Sequence, residues 1–223
     1  MRKKQRRILL NRPNVVGVIH TTTGFAAARR TPLDAVEVRA DMLPQPPSPG
    51  QIAALPLPAI LPVRRHDEGG ARPLSDSERL ALYLELLPSA AAVDIEGRSL
   101  AAFGGLVEAA RKARKTVIVS YHDFEGTPTS ARLKAWVTRA RKGGADVVKI
   151  ATVTESPGSV ARLLTLLDGS PAPLAVMGMG TLGRASRLLF ARAGSVLNYG
   201  WLAEPQVRGQ WSAPDLRDLL KRA

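Results

Sequence analysis

Short apolar runs, rich in valine and isoleucine, recur along this chain, and between them lie stretches with apolar residues at three- and four-residue spacing. The runs read as strands over Asn14–Ile19, Ala35–Arg39, Ala59–Val63, Ala91–Glu96, Thr116–Phe124, Asp146–Ile150, Leu174–Gly178 and Ser195–Tyr199. Helical spacing is clearest over Asp76–Leu87 and returns over Ser130–Lys142, Val160–Leu167, Ala185–Ala193 and Pro214–Lys221. Ser75, Ser130 and Ser212 stand where helix N-caps belong. The proline-rich stretch 43–57 supports only a weak, short helix. Strands alternating with helices predict a parallel sheet covered on both faces. Eight such units in fewer than 250 residues fit a single α/β domain, a (β/α)₈ TIM barrel over residues 1–223, with 1–12 as a basic, peripheral segment. A doubly wound open sheet is the second reading, but no Gly-x-Gly-x-x-Gly follows the first strand.

Charged residues break the apolar pattern at the strand ends, where a barrel builds its active site. Lys149 falls inside the sixth run, and a buried lysine must be paired or neutralised because an unpaired ammonium is costly to bury. Desolvation favours the neutral amine, the form that attacks a carbonyl to make a Schiff base. His122 ends the neighbouring run and suits proton transfer near neutral pH. Taken singly, a lysine reaching solvent and a packed histidine explain each; together, at the same end of adjacent strands, they point to a site. Glu37, Arg39 and Asp41 are two apart, so one strand would present all three on one face and turn Val36 and Val38 outward. Arg64 follows the third run, with Glu68 just beyond it, and Asp94 and Glu96 close the fourth. For Asp41 and Asp94, a salt bridge in a polar barrel mouth is the favoured role. Arg187 lies beyond a glycine-rich turn, Gly178–Gly183, of a kind that often holds phosphate. An arginine there can instead grip a carboxylate.

Composition removes several chemistries. There is no cysteine, and the three histidines, His20, His66 and His122, lack metal-ligand spacing. No apolar run approaches a membrane span, and the stretch after the basic start is too short for a signal-peptide core, so a cytoplasmic protein is expected. A net charge of +13 would suit nucleic acid, yet the arginines are dispersed and aromatic residues make up only 4%. A positive field that gathers an anionic small substrate fits as well.

With these residues in view, the chain resembles the type I 3-dehydroquinate dehydratases. The resemblance is carried by Glu37, Arg39 and Asp41; by Arg64 with Glu68, Gly69 and Gly70; and by Ser120, Tyr121, His122, Asp123 and Phe124 with Thr127 and Pro128. It continues through Gly144 to Lys149, Met177 to Gly180, Gly183 to Arg187, and Gly209 with Gln210, nearly the whole chain in family order. It implies a (β/α)₈ barrel, a homodimer, no metal and no organic cofactor, and loss of water from 3-dehydroquinate to give 3-dehydroshikimate in aromatic amino-acid biosynthesis. It further implies that Lys149 forms the Schiff base, that His122 moves the proton, and that Glu68 orients His122. Glu37, Arg39 and Arg64 would hold ring hydroxyls and organise the pocket, Arg187 would bind the carboxylate, and Gln206 and Gln210 would sit in the closing loop. That loop departs from the family: Ser-Ala-Pro-Gly-Gln is usual, and this chain has Gln206 for the serine and Arg208 for the proline. Another Schiff-base barrel enzyme of the metal-free aldolase kind, a relative weakened by the Gln206 exchange, and a nucleic-acid binder are the rival readings. Neither membrane nor nucleic acid is an expected partner.

Overall fold

The computed structural model describes residues 7–222; the basic cluster at residues 1–6 lies outside them. The strands are β1 (Asn14–Ile19), β2 (Ala35–Val38), β3 (Ala59–Pro62), β4 (Ala92–Glu96), β5 (Thr116–Asp123), β6 (Val147–Val153), β7 (Leu174–Met179) and β8 (Leu197–Trp201). The helices are α1 (Thr22–Arg30), α2 (Pro49–Ala53), α3 (Asp76–Leu86), α4 (Gly104–Lys112), α5 (Ser130–Lys142), α6 (Pro157–Asp168), α7 (Gly183–Arg192) and α8 (Ala213–Arg222). Every strand pairs in parallel with its sequence neighbour through β7, and β1 also pairs with β8. At the seam between β7 and β8, the Val196 amide donates to Leu174 O at 2.8 Å and the Val176 amide to Ser195 Oγ at 3.0 Å. The result is a nearly closed (β/α)₈ TIM barrel.

Two-residue alternation along each strand builds this barrel's interior in layers. Ala35, Ile60, Ala92, Ile118, Val147, Ala175 and Leu197 form an apolar floor. Two residues further along the same strands stand Glu37, Asp94, Ser120 and Lys149, all buried, so the carboxyl-end mouth is charged where the floor is oily. Val36 and Val38 join the outer core beneath the helices, as the alternation predicts. Ile8 is buried in the floor cluster and Leu10 packs beside it, inside the segment expected to be peripheral.

Local chemistry explains most of the element ends. Ser75 caps α3 in a full capping box with Glu78, and Ser212 Oγ accepts the Asp215 amide at 3.1 Å. Ser130 is not the cap of α5; Thr129 is, its hydroxyl accepting from the Arg132 amide, because Pro128 holds the extended entry one residue earlier. The proline-rich stretch yields only the five-residue α2. Strand β2 stops at Val38, one residue before the expected end, and leaves Arg39 and Asp41 in the loop beyond it.

Candidate active site

A cavity of about 330 Å³ opens at the carboxyl end of the barrel. Glu37, Arg39, Arg64, Glu68, His122, Lys149, Arg187, Gln206 and Gln210 all line it, together with Val18, Phe124, Met177, Met179 and Tyr199. The sequence spreads these groups over strands, loops and helix α7; barrel closure brings them to one mouth.

Lys149 is 4% exposed and meets the cost of burial by pairing. Its Nζ donates to Glu37 Oε2 at 2.8 Å and Asp94 Oδ2 at 2.9 Å, and it lies 4.1 Å from the centre of the Tyr199 ring. Asp94 has the salt-bridge role expected of it, but one of its partners is Lys149 itself. The other is Arg64, whose fork donates to Asp94 at 2.9 and 3.3 Å and to Ser120 Oγ at 2.6 Å. Burial alone would raise the Asp94 carboxyl; the charges of Arg64 and Lys149, with hydrogen bonds from Arg64 and Ser120, outweigh it and hold Asp94 well below the usual carboxylate range.

In the parallel register Ser120 lies beside Lys149 and His122 beside Ala151, so His122 stands two residues nearer the mouth, about 7 Å along the strand. Its Nδ1 is 3.1 Å from Glu68 Oε2. Burial first, then the positive charges of Arg64 and Lys149, push the imidazole well below its ordinary value. At neutral pH the ring is therefore uncharged, with Nδ1–H donating to Glu68 and Nε2 left as a base. Glu68 ends a 3₁₀ turn, His66–Glu68, that Gly69 closes in the left-handed conformation at φ 86°. Its carboxyl is pushed up to about 7, chiefly by burial and then by the nearby charge of Glu96.

Arg39 is fixed by Asp41, which accepts from Nε at 2.9 Å and Nη2 at 2.7 Å; Nη2 also donates to Gly69 O at 2.8 Å. Asp41 thus has the favoured ion-pair role. Arg187, 4% exposed, donates to two carbonyls, Gly178 O at 3.0 Å and Tyr199 O at 2.9 Å, and burial pushes it down to about 10. It has no acidic partner among the described residues.

The loop after β8 crosses the mouth. Its ends meet in a parallel bridge of Trp201 with Ser212, and its middle is tied where the Gly180 amide donates to Arg208 O at 3.0 Å. Gln206 faces the cavity, its Nε2 3.1 Å from Met42 Sδ and its amide donating to Gln210 Oε1. Arg208 is exposed beyond the cavity. The sequence reading gave no site role to Met42, Ser120 or Tyr199. The signal for Ser120 and Tyr199 was available: each sits two residues beyond a floor residue, Ile118 and Leu197, on the inward face. Among the described residues no group of histidines and carboxylates is placed to hold a metal, and no helix is long and apolar enough to cross a membrane.

Fold and site together define a (β/α)₈-barrel protein with a buried lysine beside a carboxylate-paired histidine at its mouth. The model of the type I 3-dehydroquinases matches residues 20–222. The chain belongs to that family. It is 31% identical over 213 residues to the 3-dehydroquinate dehydratase of Methanocella arvoryzae, covering 94% of this chain and 96% of the relative. It is 33% identical over 171 residues to the catabolic 3-dehydroquinate dehydratase of Acinetobacter baylyi, covering 74% and 63% of the two chains. The crystal structure of the Aquifex aeolicus 3-dehydroquinate dehydratase superposes with a TM-score of 0.81 at 29% identity, over 93% and 98% of the chains.

Proposed function

We propose that the protein removes water from 3-dehydroquinate to give 3-dehydroshikimate through a Schiff base on Lys149. The observation that carries this reading is one pocket holding a buried lysine amine, an uncharged histidine on a carboxylate, and an arginine with no acidic partner among the described residues. The ring ketone condenses with Nζ, losing water to an iminium. The iminium draws electrons from the adjacent carbon, and His122 Nε2 takes the proton released there. The same imidazole then protonates the departing ring hydroxyl, and hydrolysis of the imine frees the product and the amine. Before attack the ammonium must shed a proton, and Glu37 Oε2 is in contact to accept it, since Asp94 is held anionic by Arg64. Arg187 supplies the charge for the substrate carboxylate. Arg39, Gln206 and Gln210 face the ring hydroxyls, while the Arg64 fork, already engaged by Asp94 and Ser120, organises the wall.

The aldolase reading is weaker because its substrates are commonly phosphorylated. Here the start of α7, the usual phosphate seat, is covered by the chain itself: Arg208 O takes the Gly180 amide, and a Cβ on Gly183 would lie 3.0 Å from Gly209 Cα. Relatives carry both unqualified and catabolic names, so the family implies the shikimate or the quinate pathway; we assign the biosynthetic role. The reading includes a homodimer, as the family resemblance implies.

Incubation with 3-dehydroquinate should raise the absorbance of the conjugated product. Borohydride added during turnover should leave a reduced adduct on Lys149, and Lys149→Ala should lose both signals. Absence of product, or an adduct on another lysine, would sink the mechanism. Growth of a dehydratase-deficient strain without aromatic amino acids tests the biosynthetic assignment.

A further inference from the structure

Helix α3 reaches the site from outside the barrel. Arg79 and Tyr83 lie one turn apart on it and are at most 1% exposed. Beyond β3 the chain leaves its strand ladder, whose last pairing with β4 is Pro62 with Asp94. From there side chains of α3 serve as the partner: the Val63 amide donates to Tyr83 Oη at 2.9 Å, and Val63 O accepts from Arg79 Nε at 2.9 Å. Tyr83 Oη also donates to Asp94 O at 2.6 Å. Arg79 Nη1 donates to Asp76 Oδ1 at 2.8 Å and Ser99 Oγ at 3.1 Å, and Nη2 pairs with Glu96 Oε2. The other oxygen of Glu96 accepts the Arg65 amide at 3.0 Å and lies 3.4 Å from Arg64 Nη1. The carbonyl before Arg64 and the amide after it are thus both held through Arg79, one directly and one through Glu96.

We propose that Arg79 is a positioning residue for the active site, fixing the backbone on both sides of Arg64 and balancing the charge of Glu96 behind the Glu68–His122 pair. It touches no substrate and acts through other residues. The effect on catalysis rests on the dehydration reading above. Glu68 is faced by His122 from β5, Glu96 from β4, Arg98 from the loop after β4, Arg64 from the loop after β3, and its own neighbour Asp67. The charge of Glu96 raises the Glu68 carboxyl, and that of Arg64 lowers it. Removing Arg79 leaves Glu96 less compensated and raises Glu68 further; removing the charge of Glu96 lowers it.

In Arg79→Met, the acid limb of kcat/KM should therefore move to higher pH by about half a unit or more, with kcat falling roughly tenfold and KM changing less. Arg79→Lys keeps the charge and should bring the limb most of the way back. Glu96→Gln should move the limb in the opposite direction, which gives a second measurement should Arg79→Met fold poorly. The His122 imidazole proton resonance, assigned by its loss in His122→Ala, should shift its titration in the same order with no substrate present. Failure of the dehydration reading would therefore leave this test intact. Folded Arg79→Met and Glu96→Gln proteins whose limbs and imidazole titrations both stay at the wild-type pH would overturn the proposal.

Discussion

At the scale of single residues, a hydrogen bond joins groups 54 positions apart, His122 and Glu68. Because Glu68 titrates near 7, it is ionised and able to hold the imidazole above that pH and protonated below it. Activity should accordingly fall as pH drops through about 7. Glu68→Gln should move that limb to lower pH, towards the depressed value of His122, while lowering the plateau. His122→Ala should cut kcat on the order of 10²–10⁴-fold while borohydride trapping at Lys149 persists, since condensation does not use the imidazole. A variant keeping more than about a tenth of wild-type kcat would remove His122 from its role. The candidate residues themselves were legible because charge inside an apolar run is anomalous wherever it falls. The partners of Lys149 were not. The contacts of Lys149 join positions 112 and 55 residues apart, and no local pattern encodes which carboxylate closes on which amine.

At the scale of elements, strands were read well because alternation and β-branching are local, and helices less evenly. Helices α1 and α4 escaped individual notice. The buried face of α1 is only Gly24 and Ala28, and α4 opens on two helix-disfavouring glycines, Gly104 and Gly105, ahead of its buried Leu106, Val107 and Ala110. The end of β2 falls one residue short of the reading because the ladder closes at Val38 opposite Ile19: the Arg39 amide still donates to Ile19 O at 2.9 Å, but its side chain turns to Asp41. The loop after β8 shows a different limit. Gly209 looks in the sequence like any loop glycine, but the structure requires it for close approach: at φ 84°, a Cβ would lie 2.5 Å from Gly180 O. Gly209→Ala should thus displace the loop and cost more activity than Gln206→Ala. For Gln206→Ala, loss of one neutral hydrogen bond predicts a drop in kcat/KM of roughly three- to tenfold. Steady-state comparison of the two variants checks the order. Restoring serine at 206 and proline at 208 should change kcat/KM little; a gain of about a hundredfold would mark the natural loop as impaired.

At the scale of the whole molecule, the chain carries a net charge of +13, and its barrel mouth contains an arginine with no acidic partner among the described residues. Such a field attracts anions over distances that salt screens, about 8 Å at physiological ionic strength. The kcat/KM for an anionic substrate should fall several-fold between low salt and about 0.3 M, with kcat nearly unchanged; a flat profile would confine the charge to other roles. The barrel also gives the mouth a rigid rim. The loop over it is pinned at both ends by Trp201 with Ser212 and in the middle at Gly180. A cover ordered before its guest arrives has already lost most of its conformational entropy, about 1–2 kcal/mol per backbone residue, as part of folding. Under the proposed function, substrate binding then has little left to freeze there, and contacts from Gln206 and Gln210 would go into orienting the ring rather than into ordering the loop that bears them.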